Sequence, residues 1–238
     1  MMSLVHEIEL LSGADCDRIH RDVHGLRKRW IRRHPDLPFF TLGAAAYLDA
    51  TGGRFGSYVE LAGVENPALE ESFGQLHEQL LESVGDYVQA PCVTEPRLAL
   101  PGFHVFLGHP AFERPLASKH FDLQYEAIDW SGIGEPQPER QLSITVPIRV
   151  PAAGASLRVW DVTWEQARDA DQESRRRLAA ANRQARNHSY RMGVMAIHSG
   201  HLFHQIAPFV DSLPDDERLT LQAHALPVND GERWIVYW

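Results

Sequence analysis

Three short stretches of the chain hold residues whose types and spacing are suited to chemistry: His120-Phe121-Asp122, His204-Gln205-Ile206 and Arg218-Leu219-Thr220. Side chains two residues apart on a strand share a face, so an H-x-D strand would aim one imidazole and one carboxylate at the same point. A second imidazole from His204 would close a three-point face on one metal ion. Two His and one carboxylate, with the remaining positions open, are hard nitrogen and oxygen ligands that suit Fe(II). With no thiolate in the set, a structural zinc centre is disfavoured, while Mn(II) or Zn(II) remains compatible with the ligands. Arg218 follows His204 by 14 residues on a further predicted strand, with Thr220 on its face. A guanidinium there is suited to two-pronged capture of a carboxylate.

In order and spacing the set resembles the Fe(II)/2-oxoglutarate-dependent oxygenases, over roughly residues 100 to 238. The resemblance implies a metal bound by His120, Asp122 and His204, with 2-oxoglutarate held by a salt bridge to Arg218 and a hydrogen bond from Thr220. It also implies Fe(II) and O2 as reactants, release of succinate and CO2, and oxidation of a C–H bond.

Any one of these short patterns also has an ordinary explanation, as a turn, a hydrogen-bonded core histidine or a strand arginine paired with Asp215, Asp216 or Glu217. The distal ligand is open between two residues, because His198, His201 and His204 lie close together. Ser199-Gly200 reads as a turn that leaves His201 at its edge, whereas His204 falls inside the next strand, where a ligand is held more rigidly. Gln124 has the parity of His120 and Asp122 and is a candidate for contact with substrate. His104 and Tyr125 are further candidates.

The elements that must position these residues follow from periodicity. Ser12 and Asp15 form a capping box ahead of apolar residues Cys16, Ile19, Val23, Leu26 and Trp30, which predicts a helix. Residues 35 to 62 read as irregular. Asn66-Pro67 reads as the start of a second helix with the stripe Leu69, Phe73, Leu76, Leu80, Val84 and Val88. From Arg97 the period becomes strand-like. The expected strands are Arg97–Leu100, Phe103–Leu107, Phe121–Asp129, Leu142–Val150, Ser156–Trp160, Tyr190–Ile197, His201–Ala207, Leu219–Leu226 and Arg233–Trp238. Thr163 and Gln166 cap a helical insertion over about 163–187 that carries the Arg175-Arg176-Arg177 triplet. The expected fold is α+β, mainly β: one domain over 1–238, with a helical part at 1–95 packed on a jelly-roll (double-stranded β-helix) core at 96–238.

Composition narrows the function. The chain has 238 residues, 44% of them hydrophobic, enough for one full core. A net charge of −9 argues against a general nucleic-acid binder. The basic run Arg27 to Arg33 reads as the solvated face of a helix. Two cysteines make no disulfide framework, and neither a signal peptide nor a membrane span is visible, so a cytoplasmic location is expected. A small organic substrate is the preferred reading. A hydroxylase of a protein or peptide, or a jelly-roll binding domain without catalysis, are the alternatives; oligomeric state is open.

Overall fold

The computed structural model describes residues 4–115, 118–168, 170, 171, 173, 177 and 185–238. In chain order its elements are β1 (His6–Glu9), α1 (Gly13–Gly25), β2 (Ile31–Arg32), β3 (Phe39–Leu42), α2 (Ala46–Asp49), α3 (Phe55–Val88), β4 (Cys92–Thr94), β5 (Gly102–Leu107), β6 (Leu142–Arg149), β7 (Leu157–Thr163), α4 (Trp164–Arg168), β8 (Arg186–His188), β9 (Val194–Ser199), β10 (Leu202–Ile206), β11 (Glu217–Val228) and β12 (Arg233–Tyr237). Nine strands form one sheet in the order β1-β9-β6-β11-β5-β3-β2, with β12 on β11 and β4 on β12. Three more form a small sheet, β10-β7-β8. Pairing is antiparallel except between β12 and β4. A mostly antiparallel sheet with few helices is consistent with a jelly-roll-like fold.

Strand alternation divides the large sheet into two chemically different faces. Phe103 and Val105 of β5, Ile144, Val146 and Ile148 of β6, Met195 and Ile197 of β9, and Leu219, Leu221 and Ala223 of β11 all point to one side. There they meet Cys16, Ile19 and Val23 of α1 and Leu69, Phe73, Leu76, Leu80 and Val84 of α3. Each such side chain contributes roughly 2 kcal/mol by leaving water. The intervening residues of the same strands are His104, Ser143, Thr145, His198, Arg218, Thr220, Gln222 and His224, and they face the other way. The core is on the helix side, and the polar residues are left to build a site.

The Ser12–Asp15 and Thr163–Gln166 capping boxes both form. Other expectations are corrected. Asn66-Pro67 does not start a helix, because α3 runs unbroken from Phe55 to Val88 with Pro67 inside it. Asn66 spends its side chain elsewhere: its amide donates to Leu98 O at 2.9 Å and its Oδ1 accepts from Leu100 N at 3.0 Å. Tertiary anchoring of the next loop has displaced the cap. Residues 35–62 contain β3, α2 and the first turns of α3, so they are not irregular. Arg97–Leu100 is a turn, and the strand in that region is β4. The strand expected at Tyr190 begins only at Val194, because Gly193 turns the chain at φ +77°. The basic run divides: Arg27 and Lys28 are exposed on a short 3-10 turn and Arg32 is exposed on β2, whereas two others are engaged. Arg33 is half-buried and clamps Asp49 with two bonds of 2.6 and 2.7 Å, and Arg29 reaches Glu65. Of the expected helical insertion, α4 is described. Arg175 and Arg176 lie outside the described residues. Among the described residues no helix is long and apolar enough to cross a membrane.

One buried group predicts a pH effect on stability. His77 of α3 is 3% exposed, and its Nε2–H donates to Pro101 O at 2.9 Å. Burial pushes its pKa down to about 4, whereas the unfolded chain protonates near ~6.5. The unfolded state therefore binds the extra proton in this window, and stability is lost as pH falls from 6.5 towards 4. His77→Gln keeps a donor for Pro101 but cannot titrate. Urea unfolding is expected to show a stability-versus-pH curve flatter by up to about 3 kcal/mol across this range. An unchanged slope would remove His77 as the cause.

Candidate metal centre

His120, Asp122 and His204 come together, with one ligand-type atom of each within 4.8 Å of the others. His204 is in β10. His120 is held opposite it by a two-bond bridge: His120 N donates to His204 O and His204 N to His120 O, both at 3.0 Å. The expected strand Phe121–Asp129 is otherwise absent. After the bridge Asp122 N turns to Gly200 O at 2.8 Å, the Gln141 amide donates to Asp122 O at 2.8 Å, and Gln124–Ala127 winds into a 3-10 turn. The carboxylate thus reaches its position through tertiary hydrogen bonds and not through strand parity.

The protonation pattern suits a cation. His120 Nδ1 lies 2.9 Å from Ser118 O and His204 Nδ1 lies 2.8 Å from Leu202 O. A carbonyl only accepts, so each Nδ1 carries the hydrogen and each Nε2 presents a bare lone pair. Those two Nε2 atoms face Asp122 at 3.6 and 3.5 Å, with no proton to place between nitrogen and oxygen. Lone pairs turned towards one another without a hydrogen bond are stabilised by a shared metal ion. Burial alone would raise the Asp122 carboxyl; positive charge among the rings of His204, His224, His120 and His198 would hold it below the usual carboxylate range, and a bound cation would supply that charge with the rings neutral. Burial lowers His204, which favours the neutral ring that a metal needs.

A ring of residues that the motifs do not mark surrounds Asp122. Ser143 Oγ donates to Asp122 Oδ2 at 2.5 Å and lies 3.5 Å from His224 Nδ1. The His198 ring packs 4.7 Å from that of His204. Their signal in the sequence is parity: 143 and 145 on β6, 198 on β9 and 222 and 224 on β11 share the face of Arg218 and Thr220. Only the strand register, Ser143 beside His198 and Gln222 beside Thr145, makes them neighbours.

Arg218 is 1% exposed. Its Nη1 donates to Thr220 Oγ1 at 3.3 Å, the Phe106 and Tyr190 rings lie 5.5 Å from its guanidinium, and its Nε has no partner. Burial lowers its pKa from the ordinary arginine value. Among the described residues no carboxylate lies within ion-pair distance. Asp216 accepts from Leu213 N, and Glu217 points through the other sheet face to His20 and His24. A buried guanidinium without an anion costs several kcal/mol, so the site is set for an anionic ligand.

The remaining candidates divide. His104 lies on the site face, opposite Thr220 in register, and its Nε2 is 2.8 Å from Tyr47 Oη. Burial, then the charges of Arg218 and Arg33, keep its pKa well below the ordinary value, while its Nδ1 has no partner. Gln124 is buried with its amide nitrogen unpartnered, but in the 3-10 turn and not on a strand. Tyr125 is not brought to the triad. Its hydroxyl bonds His201 Nε2 at 2.9 Å, and His201 Nδ1 bonds Glu165 at 2.6 Å. His201, with both nitrogens engaged there, lies outside the triad.

The chain has the fold of Fe(II)/2-oxoglutarate-dependent oxygenases. It is similar to an N-substituted L-amino acid dioxygenase from Burkholderia ambifaria solved with alpha-ketoglutarate, at 15% identity and a TM-score of 0.59, covering 99% of this chain and 86% of that one. HygX from Streptomyces hygroscopicus, solved with nickel and 2-oxoglutarate, is similar at 10% identity and a TM-score of 0.51, over 93% of this chain and 82% of that one. SnoN, a non-heme alpha ketoglutarate dependent epimerase from nogalamycin biosynthesis, is similar at 11% identity and a TM-score of 0.51, over 93% and 76%. No protein-family model and no curated protein sequence matches the chain.

Proposed function

We propose that this protein is an Fe(II)- and 2-oxoglutarate-dependent oxygenase that hydroxylates a C–H bond of a small organic substrate. The observation that carries the reading is the buried, anion-free Arg218 on the sheet face whose Ser143 and His198 pack against a triad whose lone pairs await a cation. Similarity in fold to a solved dioxygenase with alpha-ketoglutarate and to HygX with nickel and 2-oxoglutarate supports it. The chain is read as one domain with a double-stranded β-helix core: α1 and α3 of residues 1–95 pack on the sheet, and the same segment adds β1, β2, β3 and β4 to the strands supplied by 96–238.

Iron with 2-oxoglutarate and O2 supplies the C–H-oxidising power, the keto acid leaving as succinate and CO2. The work of the chain is placement. His120 Nε2, His204 Nε2 and Asp122 would hold the metal. The carbonyls of Ser118 and Leu202 fix the two imidazole tautomers, and Ser143 fixes the carboxylate. Arg218 and Thr220 hold the distal carboxylate of the keto acid. Phe106 and Tyr190, flanking the guanidinium, keep water away and so strengthen that contact. His104, held by Tyr47, and Gln124 offer polar atoms to the substrate, whereas Tyr125 serves to orient His201.

Anaerobic titration with Fe(II) and then 2-oxoglutarate is the direct test. The expected result is one visible metal-to-ligand charge-transfer band that saturates at one keto acid per iron. A colourless protein that still binds iron would leave a metal-binding jelly roll and remove the oxygenase reading.

A further inference from the structure

A second group of metal-ligating side chains lies on the opposite face of β11. His20 and His24, one helical turn apart on α1, direct their Nε2 atoms to the two oxygens of Glu217 at 2.7 and 2.9 Å. The three ligand-type atoms lie within 4.8 Å of one another. Two histidines at i and i+4 present their rings side by side on a helix, and a carboxylate from a second element completes a His2Glu set with an open position. This cluster is separate from the triad, because residues 217 and 218 of one strand point to opposite faces.

Burial and charge give the second reason to expect an ion. The Glu217 side chain is 8% exposed, and its ion-pair partners among the described residues are these two imidazoles, neither a permanent cation. A carboxylate removed from water on the apolar side of a sheet is costly unless a positive charge meets it. His20 and His24 are 29% and 31% exposed, so an ion can reach them from solvent. The ring of Trp30 stands edge-on to His24 at 5.1 Å and limits its rotation. The present distances are those of Nε2–H donors. Tetrahedral zinc, with bonds near ~2.0 Å, sets its ligand atoms about 3.3 Å apart. The two helix-edge rings need to open by roughly half an ångström while the ion replaces their protons.

We propose that His20, His24 and Glu217 form a zinc site that ties α1 to the start of β11, beside Arg218. Zinc suits it: two imidazole nitrogens and a carboxylate, completed by one water, would make the tetrahedral set that zinc prefers.

Zinc stoichiometry of the full chain, measured after equilibrium dialysis against Zn(II), tests this separately from the oxygenase reading. Wild type is expected to hold two equivalents, and Glu217→Gln, nearly isosteric, one. Asp122→Ala is also expected to hold one, which Co(II) would replace with the strong visible absorption of a four-coordinate ion. A single equivalent in wild type that survives Glu217→Gln and is lost in Asp122→Ala overturns the proposal, leaving a hydrogen-bonded histidine–carboxylate clamp only. An equivalent in Asp122→Ala that persists in the Asp122→Ala/Glu217→Gln double variant overturns it as well. A single equivalent lost in Glu217→Gln and kept in Asp122→Ala would uphold this site and count against the triad.

Discussion

Asp122→Ala is expected to yield a folded protein that neither retains iron nor releases succinate from 2-oxoglutarate. The fold should survive because the anchors at this position are backbone groups, Asp122 N to Gly200 O and the Gln141 amide to Asp122 O. The metal should be lost because alanine removes the one anion from a cluster of imidazoles. Altering a partner of a metal ligand costs about 10–100-fold in affinity, so loss of the ligand itself should exceed roughly 100-fold. Iron retained after anaerobic desalting, together with succinate formation, reads both effects. His204→Ala should behave the same way. His201→Ala should keep its iron, because His201 is engaged between Tyr125 and Glu165. Full iron occupancy in His204→Ala with loss in His201→Ala would move the distal ligand to His201.

The second large effect concerns the co-substrate. Arg218→Ala is expected to raise the apparent KM for 2-oxoglutarate by roughly 30-fold to several thousand-fold, the equivalent of the ~2–5 kcal/mol lost when one partner of a buried charge pair is truncated. Iron affinity should change little, because Arg218 approaches the keto acid and not the metal. Arg218→Lys should fall between alanine and wild type: an ammonium restores charge but not the planar fork, and it loses the packing between Phe106 and Tyr190. Thr220→Val should cost about 1 kcal/mol, since one hydroxyl is removed and the shape is kept. Succinate release against 2-oxoglutarate concentration measures all three. Wild-type KM in Arg218→Ala would make this arginine a packing residue and place the carboxylate site elsewhere.

Motif order points to His120, Asp122, His204, Arg218 and Thr220, and the structure brings the first three within ligand distance and joins the last two by a hydrogen bond. Ser143, His198 and His224 carry no motif, and they become partners of the triad only through strand register. Gln124 has the parity of the H-x-D residues only on the assumption of a continuous strand. The strand ends at one bridge because the donors and acceptors of Asp122 are taken by Gly200 and Gln141.

The amino-acid sequence by itself determined those features that depend on local chemistry. Ser12 and Asp15 cap α1 because a hydroxyl and a carboxylate three residues apart satisfy the free N–H groups of a first turn. The alternation along β5, β6, β9 and β11 separates an apolar face from a polar one because strand side chains have a period of two. Tertiary structure decided what local preference cannot reach. Asn66 anchors Leu98 and Leu100 and does not cap a helix, Arg33 is clamped to Asp49, and α3 continues through Pro67. In each case a partner far along the chain offers a hydrogen bond or an ion pair worth more than the local alternative. That partner's position exists only once the sheet and helices have packed.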